Sequence, residues 1–305
     1  MSVVTKMIRK VIWSRSIFEF FQRMGVNFTK KHFYSPIPDT MELNQREELW
    51  TRESTLAGID MNIGGQLHFV ERIFPEYKDE LKFKVNKADT KAPYEFYLNN
   101  SGFGLGDAGV LHLMIRHFKP RAIIEVGSGN STLVSAAAVL KNQEDGFPCR
   151  LTAIEPYPRE YLKEGFPGLD GLKVEKAENV EIDFFMQLGE DDILFIDSSH
   201  VMRIGNDVNF LYLEVLPRLK KGVIVHIHDI FLPCHYPKEG VIQNRTFWTE
   251  QYLLQAFLCL NNVYEVLFAN YYMFKKYPDK MNAIFKSPQG YSKHVFNSFW
   301  IRRVG

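Results

Sequence analysis

The sequence predicts an α/β protein with a doubly wound, mainly parallel seven-stranded sheet, an antiparallel edge strand and a helical N-terminal appendage. From Ala92 onward, short apolar runs alternate with longer helical patterns, which is typical of βαβ units. The last two predicted strands have no helical pattern between them, which favours an antiparallel pair at one edge. Residues 1–91 are polar, charged and without strand patterns. We therefore expect an appendage over residues 1–91, serving as a lid or oligomerisation element, and a Rossmann-like domain over residues 92–305.

The apolar runs predict seven strands: Arg121–Val126, Arg150–Glu155, Leu172–Lys176, Asp192–Asp197, Gly222–His228, Tyr264–Asn270 and Ser298–Arg303. The helical patterns between them predict six helices: Ala108–Phe118, Ser131–Leu140, Arg159–Glu164, Val180–Leu188, Val208–Leu219 and Thr249–Cys259. In the appendage, helices are expected around residues 42–56 and 64–80, with breaks at the prolines 36, 38 and 75.

The composition limits the partners. The 305 residues include 46% hydrophobic ones, enough for a sizeable core, and 37 basic against 36 acidic side chains leave a net charge of +1. Such a balance gives no basic field for nucleic acid, so we expect no nucleic-acid partner. The three cysteines, Cys149, Cys234 and Cys259, have no metal-finger or redox spacing, which favours a reducing, cytoplasmic location. No apolar run approaches the roughly 20 residues of a transmembrane helix.

The first 25 residues form a basic, amphipathic helical pattern. Lys6, Arg9, Lys10 and Arg15 lie in a stretch without acidic residues up to Phe18, and apolar residues recur on one helical face. Such a helix can lie on an anionic membrane or serve as an organellar presequence. We favour the commoner alternative, in which the apolar stripe packs on the domain or on a second subunit of a homo-oligomer.

Polar residues follow the predicted strands where ligands bind in open α/β sheets, at the carboxyl ends. The first strand continues into Gly127-Ser128-Gly129, where two glycines allow a tight turn and a close approach of a ligand before a helix starts near Ser131. The second strand ends in Glu155, at the distance expected for an acid that accepts hydrogen bonds from ribose hydroxyls. Together these features indicate a nucleotide-like ligand.

A second glycine run, Gly104–Gly109, also fits the G-x-G-x-x-G pattern. No strong strand precedes it, so we interpret Asp107 as the N-cap of a helix that begins at Ala108. A loop that covers a bound ligand is the alternative for this segment.

Acids and imidazoles end the fourth and fifth strands. Asp197 is followed by Ser198-Ser199-His200, and the fifth strand ends in His228-Asp229. Neighbouring strand ends would bring Asp197, His228 and Asp229 together near His200. Such a group needs a cation or a substrate hydroxyl as partner, and its oxygen-rich ligands suit Mg²⁺ or Mn²⁺ better than structural zinc. The alternative is that Asp197 caps the next helix and Asp229 makes a loop hydrogen bond, while the alternation of the strand places His226 in the core.

Taken together, Ile123–Thr132, Glu155, Asp192–Val201 and Gly222–Pro233 resemble the S-adenosylmethionine-dependent methyltransferases of the Rossmann-like class, in particular the group with catechol and macrolide-sugar O-methyltransferases. The resemblance covers the chain from about Tyr94 onward. It implies S-adenosylmethionine as cofactor and a hydroxylated small molecule, such as a sugar or natural-product intermediate, as acceptor.

The resemblance also implies roles. Glu125 would contact the amino-acid end of the methyl donor and Glu155 its ribose, and the candidate cofactor-binding residues are Glu125, Gly127, Ser128, Gly129, Ser131, Thr132, Glu155 and Asp197. The metal ligands would be Asp197, His228 and Asp229, although relatives often carry an acid where His228 stands. The base, three positions after the first metal aspartate, would be His200. The rival hypotheses are an iron-dependent oxygenase-like relative on the same fold and a non-catalytic nucleotide-binding protein.

Overall fold

The computed structural model describes residues 14–27, 29–293 and 296–305. The chain separates into two compact units, one of residues 1–50 and 237–247 and the other of residues 51–236 and 248–305. Most of the amphipathic pattern predicted over residues 1–25 lies outside the described part, which begins at residue 14 and includes a helix at Arg15–Arg23. Across the described residues, no helix has the length and apolar character needed to cross a bilayer.

The second unit contains one seven-stranded sheet in the order β3-β2-β1-β4-β5-β7-β6. Its strands are β1 Ala122–Val126, β2 Arg150–Ile154, β3 Gly171–Lys173, β4 Ile193–Ile196, β5 Ile224–Ile227, β6 Tyr264–Ala269 and β7 Phe299–Arg303. The first five pair in parallel, and β7 runs antiparallel between β5 and β6. The predicted fold class is confirmed, with β7 placed inside the sheet and β6 at the edge.

The central strands are short and apolar because both of their faces are covered. All residues of β1, β4 and β5 are buried, as expected for parallel strands between two layers of helices. One face packs against a cluster around Leu111, Val134 and Trp300, and the other against a cluster around Tyr212, Val215 and Leu254. The residues that follow β1, β2 and β4, namely Gly127, Glu155 and Asp197, are half-buried, whereas His228 after β5 remains buried.

The α-helices are α1 Arg15–Arg23, α2 Thr40–Gln45, α3 Glu47–Thr51, α4 Ile63–His68, α5 Phe74–Tyr77, α6 Leu105–Phe118, α7 Asn130–Glu144, α8 Glu160–Glu164, α9 Ile182–Met186, α10 Asp207–Phe210, α11 Lys238–Ile242, α12 Glu250–Leu258, α13 Asn270–Lys276 and α14 Pro278–Ile284. Two π-helical turns, Phe69–Ile73 and Leu211–Val215, continue α4 and α10. The helix predicted over Val208–Leu219 is thus irregular, and it ends at a 3₁₀ turn that contains Pro217.

Two predictions about helices are wrong. Helix α6 begins at Leu105 with Gly104 as its N-cap, so Asp107 lies inside the first turn and is not the cap. Asp107 is fully buried, and its carboxylate accepts hydrogen bonds from backbone amides that precede β7. Between β6 and β7, where no helical pattern was expected, the chain forms α13 and α14, and Pro278 occupies the first turn of α14, where its missing N–H costs nothing.

Residues 51–91 belong to the same compact unit as the sheet. Side chains at the start of α4 bond to the edge strand β6: Asn62 donates to the Val266 carbonyl at 3.0 Å, and Gln66 accepts from the Ala269 amide at 2.8 Å. These bonds satisfy backbone groups of an edge strand that would otherwise be unpaired. The division of the chain at residue 91, made on composition, stays a prediction.

Candidate active site

The turn after β1 passes against the end of β4. Gly127 has φ +80°, and a Cβ at this position would stand 1.7 Å from the Asp197 carbonyl oxygen. Its amide donates to the Ile154 carbonyl at 3.0 Å, so the turn is held between β2 and β4. Only glycine fits this conformation and this spacing. At Gly129, by contrast, an added Cβ would meet no described atom within 4 Å, so packing leaves that position open.

Glu125, the fourth residue of β1, is fully buried. Its Oε1 accepts hydrogen bonds from the Ser131 hydroxyl at 2.6 Å and the Thr132 hydroxyl at 2.9 Å. Its Oε2 has no hydrogen-bond partner among the described residues. Burial raises the pKa of this carboxyl to about 8, against the hydrogen bonds from Ser131 and Thr132, which lower it. A buried carboxyl with one free oxygen is suited to binding a cationic or amine group.

Glu155 follows β2 and bridges two turns. Its carboxylate accepts from the Ser128 amide at 3.2 Å and from the Tyr157 amide at 2.8 Å. Both carboxylate oxygens are therefore fixed in position, and each retains a lone pair for a further donor. The loop after β1 and the loop after β2 are joined through this one side chain.

A cavity of about 390 Å³ opens beside these residues. Its walls come from the carboxyl ends of β1, β2 and β4 and the loops that follow them: Val126, Gly127, Ile154, Glu155, Pro156, Tyr157, Lys176, Ala177, Glu178, Asp197, Ser198, Ser199, Arg203, Asn206 and Asp207. Its size is in the range of small-molecule sites, and its location is where ligands bind in open α/β sheets.

Asp197, His200 and Asp229 converge next to the cavity. One ligand atom from each lies within 4.8 Å of the other two. His200 Nε2 is 3.2 Å from an Asp197 oxygen and 3.4 Å from an Asp229 oxygen, and its Nδ1 is 2.8 Å from Oε2 of the buried Glu250. The structure thus brings together Asp197, His200 and Asp229, which the sequence predicted to lie close together. It also places Glu250, the first residue of α12, in contact with His200.

His228 lies beneath this cluster and is almost fully buried. Its Nδ1 is 3.5 Å from Asp197 and 3.6 Å from Asp229, and its Nε2 is 3.6 Å from Asp107. These distances are longer than ordinary hydrogen bonds. His228 is therefore surrounded by three carboxylates without being tightly bonded to any of them.

The charges of the cluster determine its pKa values. Burial alone would raise the pKa of Asp197, but His228 and His200 outweigh burial and lower it. Burial would likewise lower the pKa of His200, but the carboxylates of Asp197 and Glu250 raise it to about 10. The pKa of His228 is raised well above its ordinary value because Asp229 and Asp197 outweigh burial. Both imidazoles thus carry a proton near neutral pH and balance the surrounding carboxylates.

Two residues of the cluster adopt a strained backbone. His200 has φ 57° and Asp229 has φ 56°, in the left-handed region that non-glycine residues occupy infrequently. The His200 carbonyl accepts from the Thr249 amide at 2.8 Å and the Glu250 amide at 3.1 Å, and Asp229 accepts from the Asn297 side chain at 3.2 Å. Strain that the surroundings maintain in this way is concentrated at functional sites.

Other expectations have a plain structural outcome. His226 is a core residue, as its alternation predicted: its ring stacks on Phe195 with centroids 3.9 Å apart, and its Nε2 is 2.8 Å from the Ser298 hydroxyl. The sequence does not mark Glu250, Asp107 and Asn297 as site residues, because each is distant in sequence from the strand-end residue that it contacts. An acid in the first turn of a helix is ordinary, and only its burial distinguishes Glu250.

Comparison with known proteins identifies the class. Residues 124–230 match a family model described as a methyltransferase domain. Among solved structures, the chain is similar to one titled cmcI-N160 SAH, at 17% identity and TM-score 0.36, covering 66% of this chain and 77% of that one. It is also similar to an O-methyltransferase from Bacillus cereus in complex with SAH, at 13% identity and TM-score 0.35, covering 80% and 98%. The chain therefore contains a methyltransferase domain over residues 124–230.

The chain is also similar in sequence to a protein from an archaeon. An Archaeoglobus fulgidus protein described as uncharacterized is 34% identical to this chain over 178 residues, which is 56% of this chain and 78% of the archaeal protein. The chain belongs to one family with that protein.

Proposed function

We propose that this methyltransferase transfers the methyl group of S-adenosylmethionine to a hydroxyl of a small acceptor, such as a sugar unit or a natural-product intermediate, with the help of a divalent cation. The observation that carries the proposal is the convergence of Asp197, His200 and Asp229, with ligand atoms within 4.8 Å of one another, next to the strand-end cavity that Asp197 lines. Methyl transfer, indicated by the family match, takes precedence over the oxygenase-like and non-catalytic alternatives.

The residues around the cavity fit the cofactor. Glu155 lines the cavity with carboxylate oxygens suited to ribose hydroxyls. Glu125 is buried and does not line the cavity, but its free Oε2 would suit the cationic amino group of the donor. The open space at Gly129 lets a ligand approach the backbone. Ser131 and Thr132, predicted from the sequence to bind the cofactor, orient Glu125 in this proposal. When bound, S-adenosylmethionine supplies an activated methyl group on sulfur, which the chain must align with the acceptor oxygen.

The donor set fits a hard divalent cation. Asp197 and Asp229 offer carboxylate oxygens, which Mg²⁺ and Mn²⁺ prefer, and an imidazole nitrogen is compatible with Mn²⁺. A bound cation lowers the pKa of a hydroxyl that binds to it. The two imidazoles carry positive charge among these acids, so a cation at the site would replace the proton of the ligating imidazole.

His200 is the third ligand in this proposal. Its Nε2 faces both carboxylates, and its Nδ1 is held by Glu250, which is the arrangement of a metal-ligating histidine whose second nitrogen bonds a carboxylate. The same nitrogen is the base predicted from the sequence, a role that requires the imidazole first to lose the proton that the surrounding carboxylates hold on it. His228, the ligand predicted from the sequence, lies deeper and keeps the charge balance of Asp197 and Asp229.

Titration calorimetry of the full chain with S-adenosylhomocysteine and with Mn²⁺ tests the proposal. Asp197→Asn and Asp229→Asn should weaken Mn²⁺ binding strongly. Glu178→Gln, which removes an acid from another wall of the cavity, should leave Mn²⁺ binding unchanged.

If His200 is a ligand, His200→Ala weakens Mn²⁺ binding about 10- to 100-fold. If it is only a base, His200→Ala keeps the Mn²⁺ affinity and lowers turnover by about 10²- to 10⁴-fold. Mn²⁺ binding that is independent of Asp197 and Asp229 contradicts the proposal.

A further inference from the structure

The first residues of α12 hold the loop after β4. The Thr249 amide and the Glu250 amide both donate to the His200 carbonyl, at 2.8 Å and 3.1 Å, and the Thr249 hydroxyl accepts from the Met202 amide at 2.8 Å. His200 has φ 57°, which an L-residue adopts only at a cost unless its surroundings enforce it. The backbone of His200 is therefore set by a segment about fifty positions further along the chain.

The Glu250 side chain holds the imidazole as well. Glu250 is fully buried, and its Oε2 is 2.8 Å from His200 Nδ1. A buried carboxylate is costly unless it is paired, and this imidazole is the charged partner within reach. The Trp248 ring packs against His200 with centroids 4.7 Å apart and covers the pair. Three consecutive residues thus fix the His200 carbonyl, its Nδ1 and one face of its ring.

This arrangement determines where Nε2 points. With Nδ1 bonded to Glu250, the other ring nitrogen faces Asp197 at 3.2 Å and Asp229 at 3.4 Å. Rotation of the ring by half a turn would break the bond to Glu250 and remove Nε2 from the two carboxylates. In metal sites, a carboxylate that bonds the other ring nitrogen of a ligating histidine fixes the tautomer and orientation of the ring in the same way.

We propose that Glu250 is a positioning residue that orients His200 toward the cation site of Asp197 and Asp229. This inference rests on the proposed function, because it assigns Glu250 a role only through the ligand role of His200. Glu250 itself lies behind the imidazole and does not reach the cavity.

The test is Mn²⁺ titration calorimetry on the full chain saturated with S-adenosylhomocysteine. Glu250→Ala should weaken Mn²⁺ binding about 10- to 100-fold, as removal of such outer carboxylates does. Glu250→Gln keeps the size and one acceptor oxygen, so its loss should be smaller, and it replaces Glu250→Ala if that variant fails to fold. The S-adenosylhomocysteine affinity should stay within about twofold in both.

A double-substitution cycle separates positioning from general support of the fold. In the His200→Ala background, Glu250→Gln should cause no further loss of Mn²⁺ affinity, because its effect passes through the imidazole. Asp192→Asn is the matched control: Asp192 is a buried carboxylate at the opposite end of β4 that bonds the Arg121, Ala122 and Gly189 amides. It should lower the melting temperature without changing the Mn²⁺ affinity.

The outcomes distinguish the two levels of inference. If His200→Ala weakens Mn²⁺ binding but both Glu250 variants bind Mn²⁺ like the unsubstituted protein, the positioning role is overturned and the proposed function stands. The same holds if Glu250→Gln costs as much without His200 as with it. If the unsubstituted protein binds no Mn²⁺, both the proposed function and the role of Glu250 are overturned.

Discussion

A substitution of Gly127 by alanine tests how closely the turn after β1 packs against the end of β4. In Gly127→Ala, the new Cβ would stand 1.7 Å from the Asp197 carbonyl oxygen, where real contacts are 3.0 Å or longer. The turn after β1 and the end of β4 must therefore separate by more than about 1 Å, because the obstacle is backbone. Overpacking of this kind costs about 1–3 kcal/mol, and alanine at φ +80° costs about 1–2 kcal/mol more. We expect a loss of about 2–5 kcal/mol in unfolding free energy.

Activity should fall as well, since a displacement of about 1 Å in a positioned group can cost about 10²-fold in rate. Gly129→Ala is the matched control, because its Cβ meets no described atom within 4 Å. It should change the unfolding free energy by less than about 0.5 kcal/mol yet weaken S-adenosylhomocysteine binding. Urea denaturation and titration calorimetry measure both quantities. A Gly127→Ala protein as stable as the unsubstituted one would refute the reasoning, as would equal losses of stability in the two variants.

Three further predictions concern other parts of the chain. Folding raises the pKa of Glu125 from 4.5 to about 8, so the folded protein takes up a proton and its stability falls as the pH rises through this window. Relative to Glu125→Gln, the unsubstituted protein should lose up to about 5 kcal/mol of unfolding free energy between pH 4 and pH 9, as measured by urea denaturation. Asp107→Asn should lower the unfolding free energy by about 1–3 kcal/mol for each amide that loses its acceptor. If Asp107 acted only as an N-cap, asparagine would replace it with little loss of stability, so thermal denaturation distinguishes the two roles. Deletion of residues 1–25 should leave sedimentation with anionic liposomes unchanged, and a loss of binding would favour the membrane alternative.

The strands and the residues that end them could be predicted from the sequence. Each of β1, β4 and β5 is a short apolar run that only a doubly covered sheet can bury, and polar residues mark where burial ends. Parallel strands align their carboxyl ends, so the approach of Asp197 to Asp229 follows from the topology alone. Local pattern and a general topological rule are sufficient for that part of the site.

The remaining site residues could not be predicted because nothing local distinguishes them. Asp107 has the sequence context of an N-cap, and only its tertiary contacts, 163 and more positions away, show that it accepts hydrogen bonds from Asn270, Asn297 and Ser298. In the sequence, Glu250 has the position of an acid that stabilises the start of a helix. Its contact in the site is with His200, which lies 50 positions earlier in the chain. Such pairings depend on loop paths, which periodicity does not encode.

The antiparallel direction of β7 explains why its preceding residues take part in the site. A strand parallel to β5 would begin at the amino end of β5, so only its last residues would reach the carboxyl ends of the strands, where the cavity lies. Because β7 runs the other way, Phe299 pairs with Ile227, and the residues just before it arrive at the carboxyl end of β5. Asn297 there donates to Asp229 at 3.2 Å, while its amide is held by Asp107 at 2.9 Å. Inserting β7 between β5 and β6 thus places a fixed donor against Asp229, one carboxylate of the proposed cation site.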